Sequence, residues 1–565
     1  MLSELLADLR EGDDRPAMRG VSRGDLGRLV SGYAAALHAN GLVAGDTIGL
    51  AVRPGPRALG AMLAAYRMGL RIAVLDPSAG PDVLLARLTT AQPRLVLADA
   101  AAQAVAGWAA PLARRAHLAL PDLSAIAPLR TLGRRLPGTA PTLSLAGGPA
   151  PASFDGDGDA VIVFTSGTTS RPRAVVHTRA GLSAGMRTVH DLVRPVPGRP
   201  VLGGTFFVLL PSLAAGAPVA LPARRPRALA RQIRRLGPQA TYLTPPQLRA
   251  ALARGVRFTG RVYSGSAPVS ASLLRAVRAA GADEAWGVYA LTELFPAAAV
   301  ESADKAAFTS DGDLVGALLP GVSARLHPPG FPPPADALFP GDATRTTGGP
   351  LAGQDASRTD RLLPDHDAFS AGGPSPGDAA RTTGGPPAGH DALSAGGLLS
   401  GGAGELFLSG PNAADRYLGE DPFEWVATGD IARIVGGRVV LGGRRKDMIL
   451  RGAENIYPGL YEPSLHVLGV WLAVVVGTPA QDGDERVVAL IQPAPGADPA
   501  QIRAALRDPL SRMGTARPDS VILTEIPLSG RSRKPDRAAA ARLAATLTAP
   551  GPPTDLDRLY RGRTR

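Results

Sequence analysis

An α/β fold in two or more domains is predicted by three features of the 565-residue sequence. The chain is too long for one hydrophobic core, and 45% of it is hydrophobic, enough to fill more than one interior. Its early part alternates strand and helix signals: residues 47–52 read as strand, 56–68 as helix and 71–75 as strand, a βαβ unit. Further on, the apolar run Val161-Ile162-Val163-Phe164 stops at a loop of hydroxyls and glycine, Thr165-Ser166-Gly167-Thr168-Thr169-Ser170, followed by Arg171-Pro172-Arg173. A buried parallel strand ending this way places its loop at the carboxyl edge of an open sheet, where such sheets bind ligands.

Taken in order, Ser22 and Asp25 have the spacing of a capping box, and Leu26, Leu29, Val30, Tyr33 and Leu37 keep helical spacing up to Asn40-Gly41. Residues 94–98 read as another buried strand. In the loop after Phe164, hydroxyls and the backbone N–H groups around Gly167 suit an anion-binding nest, with Arg171 and Arg173 adding charge. A surface Ser/Thr turn accounts for the same residues. No Gly-Lys-Ser/Thr closes the loop, which excludes the nucleoside-triphosphatase P-loop. Residues 201–221 are apolar and glycine-rich, and Thr205, Phe206 and Phe207 there either pack in the core or line an apolar pocket. Arg261 to Pro268 reads as a strand ending in the small-residue turn Ser264-Gly265-Ser266-Ala267-Pro268, which lets a flat ligand approach the backbone or simply leads into a helix.

Composition narrows the function. There is no cysteine, which excludes disulfides, thiolate metal sites and cysteine nucleophiles, and the eight histidines show no metal-ligand spacing. The net charge of +12 fits anionic small molecules or an acidic partner better than nucleic acid, since aromatics for base stacking make up only 4%. The N-terminus carries acids and lacks a secretory apolar segment, and no apolar run is long enough for a bilayer, so a cytoplasmic protein without a transmembrane segment is expected. Of 61 basic residues only Lys305, Lys446 and Lys534 are lysines. A position that stays lysine in such a chain needs a compact charge on a flexible stem.

Phe164 to Arg173 resembles the phosphate-loop signature of the adenylate-forming superfamily, which includes acyl-CoA synthetases, and later motifs follow in the family's order. The resemblance implies a large multi-layer N-terminal domain, 1–442, and a small mobile α+β lid, 443–565, with the active site between them. It implies ATP contacts from Thr165, Ser166, Gly167, Thr168, Thr169 and Arg173, and an adenine-binding segment at Ser264, Gly265, Ser266, Ala267 and Pro268. Trp286-Gly287-Val288-Tyr289-Ala290-Leu291-Thr292-Glu293 is similar to the family's Tyr-Gly-x-Thr-Glu motif. By that match Tyr289 stacks on adenine, Thr292 touches the α-phosphate and Glu293 holds Mg²⁺, a hard cation suited to one carboxylate plus phosphates. Ala427-Thr428-Gly429-Asp430 resembles the ribose-binding motif, and Gly443-Arg444-Arg445-Lys446-Asp447 the hinge motif, with Arg444 near the nucleotide and Lys446 as pivot. Leu528-Ser529-Gly530-Arg531-Ser532-Arg533-Lys534-Pro535-Asp536-Arg537 resembles the terminal catalytic loop, with Lys534 as its lysine and Arg531 as the rival register.

Residues 327–402 interrupt the pattern. They are rich in Pro, Gly, Asp and Ala, and Pro340-Gly341-Asp342-Ala343 returns as Pro376-Gly377-Asp378-Ala379. A disordered surface insert is expected there. The resemblance implies that ATP and a carboxylic acid, acyl or aryl, give an acyl-adenylate and pyrophosphate, followed by transfer to a thiol, with coenzyme A as the first candidate and an acyl carrier protein as another. Leu294-Phe295-Pro296 after Glu293 also resembles β-lactone synthetases, which use an internal hydroxyl. The departures at Ser170, Arg173, Ala290 and Ala453 leave open an inactive relative that serves as a binding subunit.

Overall fold

The computed structural model describes residues 1–75, 81–106, 122–124, 126–145, 149–165, 173–327, 337–338, 402–451, 454–480, 485–529 and 533–548. The chain divides into two compact units: Met1–Pro340 with Gly401–Arg565, and Gly341–Ser400. The second lies outside the described residues, as does the polar tail after Pro550 whose fraying the sequence suggests.

The first unit is α/β, as expected. Ser22 and Asp25 form a reciprocal capping box that opens helix Arg23–Ala39, which ends at Asn40. That helix and Pro56–Arg67 cover one face of a seven-stranded sheet. The sheet runs Arg416–Tyr417, Ala174–Thr178, Asp159–Phe164, Arg71–Val74, Thr47–Ala51, Leu95–Ala98, Leu129–Thr131. Val161 packs into the core beneath those helices, whereas Ile162 points into a second core with Leu75, Leu84 and Val96. Burial on both faces is why residues 161–164 read as an uninterrupted apolar run.

A second, 14-stranded sheet carries the remaining motifs. Val201–Gly203, Ala240–Tyr242, Arg261–Ser264 and Glu284–Tyr289 lie parallel in that order. From Glu284–Tyr289 onward the sheet turns antiparallel through Ala298–Glu301, Asp313–Leu318, Arg438–Arg444, Trp425–Val435, Gly404–Ser409 and Ser323–His327. Beyond Arg444 the chain builds its own three-stranded sheet, Val470–Pro479, Glu485–Pro493 and Ser520–Leu523, with helices Pro499–Ser511 and Arg537–Thr548 packed on it. This lobe has its own core around Val475, Val487, Ile502 and Leu506.

Between residues 328 and 401 of the insert, the described residues are Ala337 and Leu338. Ala337–Leu338 forms a short strand parallel to Trp425 and Val426. Most of the insert lies outside the described residues. Its flanks pair directly, Leu326 with Leu406 and His327 with Glu405. Replacing residues 328–401 by a short Gly/Ser linker should therefore close an ordinary hairpin. The expected result is a melting temperature within a few degrees of the parent and unchanged pyrophosphate release with a substrate acid. Loss of folding would assign a structural role to the Ala337–Leu338 strand.

Candidate functional site

Two sheet edges supply the predicted residues. Strand Asp159–Phe164 ends at Thr165, whose N–H donates to the Arg173 carbonyl at 3.0 Å, so both ends of the hydroxyl loop are tied together. Ser166, Gly167, Thr168 and Thr169 lie outside the described residues, as do Ser170, Arg171 and Pro172. The Arg173 guanidinium lies over the Tyr417 ring, 4.7 Å from its centre.

Tyr417 links that loop to Glu293. Arg416 grips Asp159 through two nitrogens at 3.0 and 2.8 Å, which fixes strand Arg416–Tyr417 on the sheet edge. The Tyr417 hydroxyl then donates to Glu293 Oε1 at 2.9 Å in a buried setting. Burial, and then the Glu293 carboxylate, push the phenol's pKa far up, so it remains a donor. Glu293 Oε2 makes no hydrogen bond among the described residues. One carboxylate oxygen steered by a neutral donor and one left open is a donor set that fits Mg²⁺ shared with substrate phosphates. No group of three or more His, Asp or Glu side chains able to hold a metal occurs among the described residues.

The peptide before Glu293 is held as well. His177 is fully buried on strand Ala174–Thr178, and its Nε2 lies 2.8 Å from the Thr292 carbonyl oxygen. The carbonyl can only accept, so Nε2 carries the proton. Burial lowers the ring's pKa to about 4, which leaves it neutral near pH 7. Its edge meets Phe295, whose ring lies 3.8 Å from Phe207, and Phe207 stacks on Phe206 at 4.2 Å. Thr205 caps the helix that carries both phenylalanines. Half-buried Phe206 and Phe207 and buried Phe295 form an apolar wall beside His177. Ala290, within the Trp286–Glu293 motif, is exposed.

At the end of strand Arg261–Ser264, Ser264 is buried and its hydroxyl has no partner among the described residues. Gly265 has a spatial reason: a Cβ there would sit 2.8 Å from the Val288 carbonyl oxygen. Ser266 turns the chain at φ +65° and its hydroxyl lies 2.9 Å from that of Tyr242. Ala267 and Pro268 follow on the surface. The main chain of this turn lies close against the Tyr289 strand.

Asp430 is the point of convergence. It is 4% exposed, on strand Trp425–Val435, and its N–H is held by the Thr428 hydroxyl at 3.0 Å. The Tyr289 hydroxyl donates to Oδ2 at 2.5 Å, and Arg444 Nε donates to Oδ1 at 2.9 Å. Desolvation, then the charge of Asp430, raise the Tyr289 pKa well above that of a free phenol. A carboxylate has about four lone-pair positions, so two remain open here.

The chain then crosses between lobes. Arg445 is paired with Glu405 of the large sheet at 3.2 Å, whereas Asp447 is paired with Arg537 of the terminal helix at 3.0 Å. Arg537 also donates to Glu462 at 2.5 Å and to the Val475 carbonyl at 2.9 Å. Between a residue anchored on one side and a residue anchored on the other stands Lys446, exposed and without an ion pair among the described residues. The Gly452-Ala453 segment that follows lies outside the described residues.

Lys534 pairs across a two-residue ladder with Ser529 and is exposed. Partial desolvation, then the charges of Arg444 and Lys446, hold its pKa below the ordinary lysine range, with Asp430 opposing them. The lysine is thus in electrostatic range of the Asp430 cluster, while Arg531 lies outside the described residues. The third lysine is structural: Lys305, buried, bonds Asp313 at 2.5 Å and the Leu314 carbonyl at 2.8 Å. Tyr417, His177, Tyr242, Glu405 and the anchoring role of Arg537 escape the sequence reading. Each acts through a partner far away in the chain, and only Arg537 stood inside a motif.

The AMP-binding enzyme family model matches residues 8–335. Among curated proteins the chain is similar to the olefin beta-lactone synthetase of Stenotrophomonas maltophilia (strain K279a), 29% identical over 292 residues, 47% of this chain and 50% of that one. It is 34% identical over 145 residues to the feruloyl-CoA synthase of an Amycolatopsis species, 24% of this chain and 29% of that one. The alignments thus span half or less of those relatives' own length. Among solved structures it resembles the amide bond synthetase McbA from Marinactinospora thermotolerans, with a TM-score of 0.69, 22% identity, and 96% and 99% of the two chains covered. That likeness carries the α/β fold with its large and small domains. No helix among the described residues is long and apolar enough to cross a membrane.

Proposed function

The chain belongs to the AMP-binding enzyme family, and on that premise we propose that it activates a carboxylic acid with ATP to an acyl-adenylate and passes the acyl group to a thiol, coenzyme A being the first acceptor to test. The observation that carries this reading is the convergence on Asp430 of the Tyr289 hydroxyl at 2.5 Å, Arg444 at 2.9 Å and, in electrostatic range, Lys534. The carboxylate oxygen of the acid attacks the α-phosphorus, the bond to the bridging oxygen breaks, and pyrophosphate leaves. Asp430 accepts from the ribose hydroxyls with its two open lone-pair positions, and Tyr289 presents its ring to the base. Lys534 neutralises charge as it shifts among carboxylate and phosphate oxygens. Glu293 would hold Mg²⁺ together with the nucleotide's phosphates, which supplies further charge neutralisation. The apolar wall of Phe206, Phe207 and Phe295 favours an acyl or aryl acid over a polar one.

A second reading is favoured by the match to a beta-lactone synthetase: an internal hydroxyl of the acid then closes on the activated carbonyl. A panel of acids assayed for pyrophosphate, followed by mass spectrometry with and without coenzyme A, separates the two. A thioester formed only with coenzyme A supports the first, and loss of water without it supports the second. No pyrophosphate with any acid supports an inactive binding subunit.

Glu293→Gln keeps the acceptor for the Tyr417 hydroxyl and removes the negative charge. The expected result is a KM for ATP at limiting Mg²⁺ raised at least about tenfold, with an unchanged melting temperature. Unchanged kinetics at limiting Mg²⁺ would remove Glu293 from the metal.

A further inference from the structure

Helix Pro226–Leu236 breaks the rules of helix electrostatics. It and the two residues before it carry six arginines, Arg224, Arg225, Arg227, Arg231, Arg234 and Arg235, and no acid. All six are exposed, and none makes an ion pair among the described residues. Like charges three and four residues apart destabilise a helix, and positive charge in the first turn opposes the helix dipole. The apolar side, Leu229 and Ile233, is buried against Leu243, Leu248 and Phe258, so the helix is held by tertiary packing while its outer face stays self-repelling. Arg234 and Arg235 in the last turn suit the dipole, so the conflict lies in Arg227 and in the like-charge pairs, a local inconsistency of the kind functional surfaces carry.

Building on the proposed activity, we propose that this arginine ridge docks an acidic helix of a protein that carries the acceptor thiol. Arg227, Arg231 and Arg235 repeat every four residues and extend about 12 Å along the helix. Carboxylates repeating every four residues on a partner helix have the same spacing, and the planar guanidinium matches a carboxylate through two bonds. A bilayer fits worse, because the apolar side is already buried and no large exposed apolar residue lies on this helix. A nucleic acid fits worse because the ridge offers no aromatic ring for stacking. The ridge helix is joined to the small lobe through one packed neighbour. It packs against Pro245–Leu252, whose Arg249 is in electrostatic range of His466 in the small lobe.

The test uses the full chain, an acid shown to release pyrophosphate, and two acceptors: a purified acidic acyl carrier protein bearing its pantetheine arm, and coenzyme A. The triple variant Arg227→Glu, Arg231→Glu, Arg235→Glu should raise the KM for the carrier at least about tenfold. It should leave pyrophosphate release and the KM for coenzyme A within twofold. The milder triple change to Gln should give an intermediate KM, and both melting curves should match the parent. In the parent, carrier binding followed by fluorescence anisotropy should weaken with added salt. A carrier KM within twofold of the parent would overturn the proposal, as would an equal rise in the KM for coenzyme A. Binding of duplex DNA or of phosphatidylserine vesicles in preference to the carrier would overturn it too. Anisotropy needs no turnover, so failure to find an active acid bears on the proposed activity and leaves the docking measurement intact.

Discussion

Lys534→Ala is expected to lower pyrophosphate release by about 10²–10³-fold, the usual cost of one electrostatic contact to developing charge, while a supplied acyl-adenylate is still converted to product. The separation follows from position. Lys534 faces the Asp430 cluster, where the nucleotide is proposed to sit, and the second step needs no ammonium at that point. Lys534→Arg should rescue only in part, because a longer planar fork cannot occupy the same point. A pH profile gives an independent check. The ammonium is the active form, and desolvation together with Arg444 and Lys446 lowers its pKa. Adenylation should therefore fall as pH rises through a value below that of an ordinary lysine. In Lys534→Arg the alkaline fall should disappear from the residual rate, since the guanidinium stays charged. If Arg531→Ala and not Lys534→Ala stopped adenylation, the terminal loop would be shifted in register.

Lys446→Pro is expected to do the reverse: adenylate forms and the acyl transfer fails. The geometry explains why one residue suffices. Arg445 is tied to Glu405 in the large lobe and Asp447 to Arg537 in the small lobe, which leaves Lys446 as the free link between them. It lies in the 3₁₀ turn Arg445–Asp447, where φ is already near the value proline imposes. Proline suits that φ, at some cost to the helical conformation of Arg445 before it, and a rotation that requires a different φ is blocked. Burst kinetics would show one equivalent of pyrophosphate per enzyme and no thioester. Normal turnover in this variant would move the pivot elsewhere.

Much of the fold was legible because its causes are local. The capping box of Ser22 and Asp25 spans three residues, and the strands announce themselves as apolar runs because both faces of their sheets are covered. The segments proposed for the hinge and the ribose, and the Thr-Glu motif, are likewise contiguous. The rarity of lysine was a partial guide: Lys446 falls at the lobe boundary and Lys534 in electrostatic range of Asp430, whereas Lys305 is an interior ion pair.

The sequence by itself determined the α/β class, the order of the motifs and the residue types that can do the chemistry, since these depend on periodicity and near neighbours. Only the tertiary structure decided who holds whom. The Tyr417 hydroxyl reaches Glu293 across 124 residues, His177 reaches the Thr292 carbonyl across 115, and Tyr289 reaches Asp430 across 141. The strand pair Ala337–Leu338 with Trp425–Val426 and the lone position of Lys446 between two anchors belong to the same class. Such contacts are set by sheet register and by which strands become neighbours, and a hydrogen bond between side chains brought together in this way leaves no periodic trace in either segment.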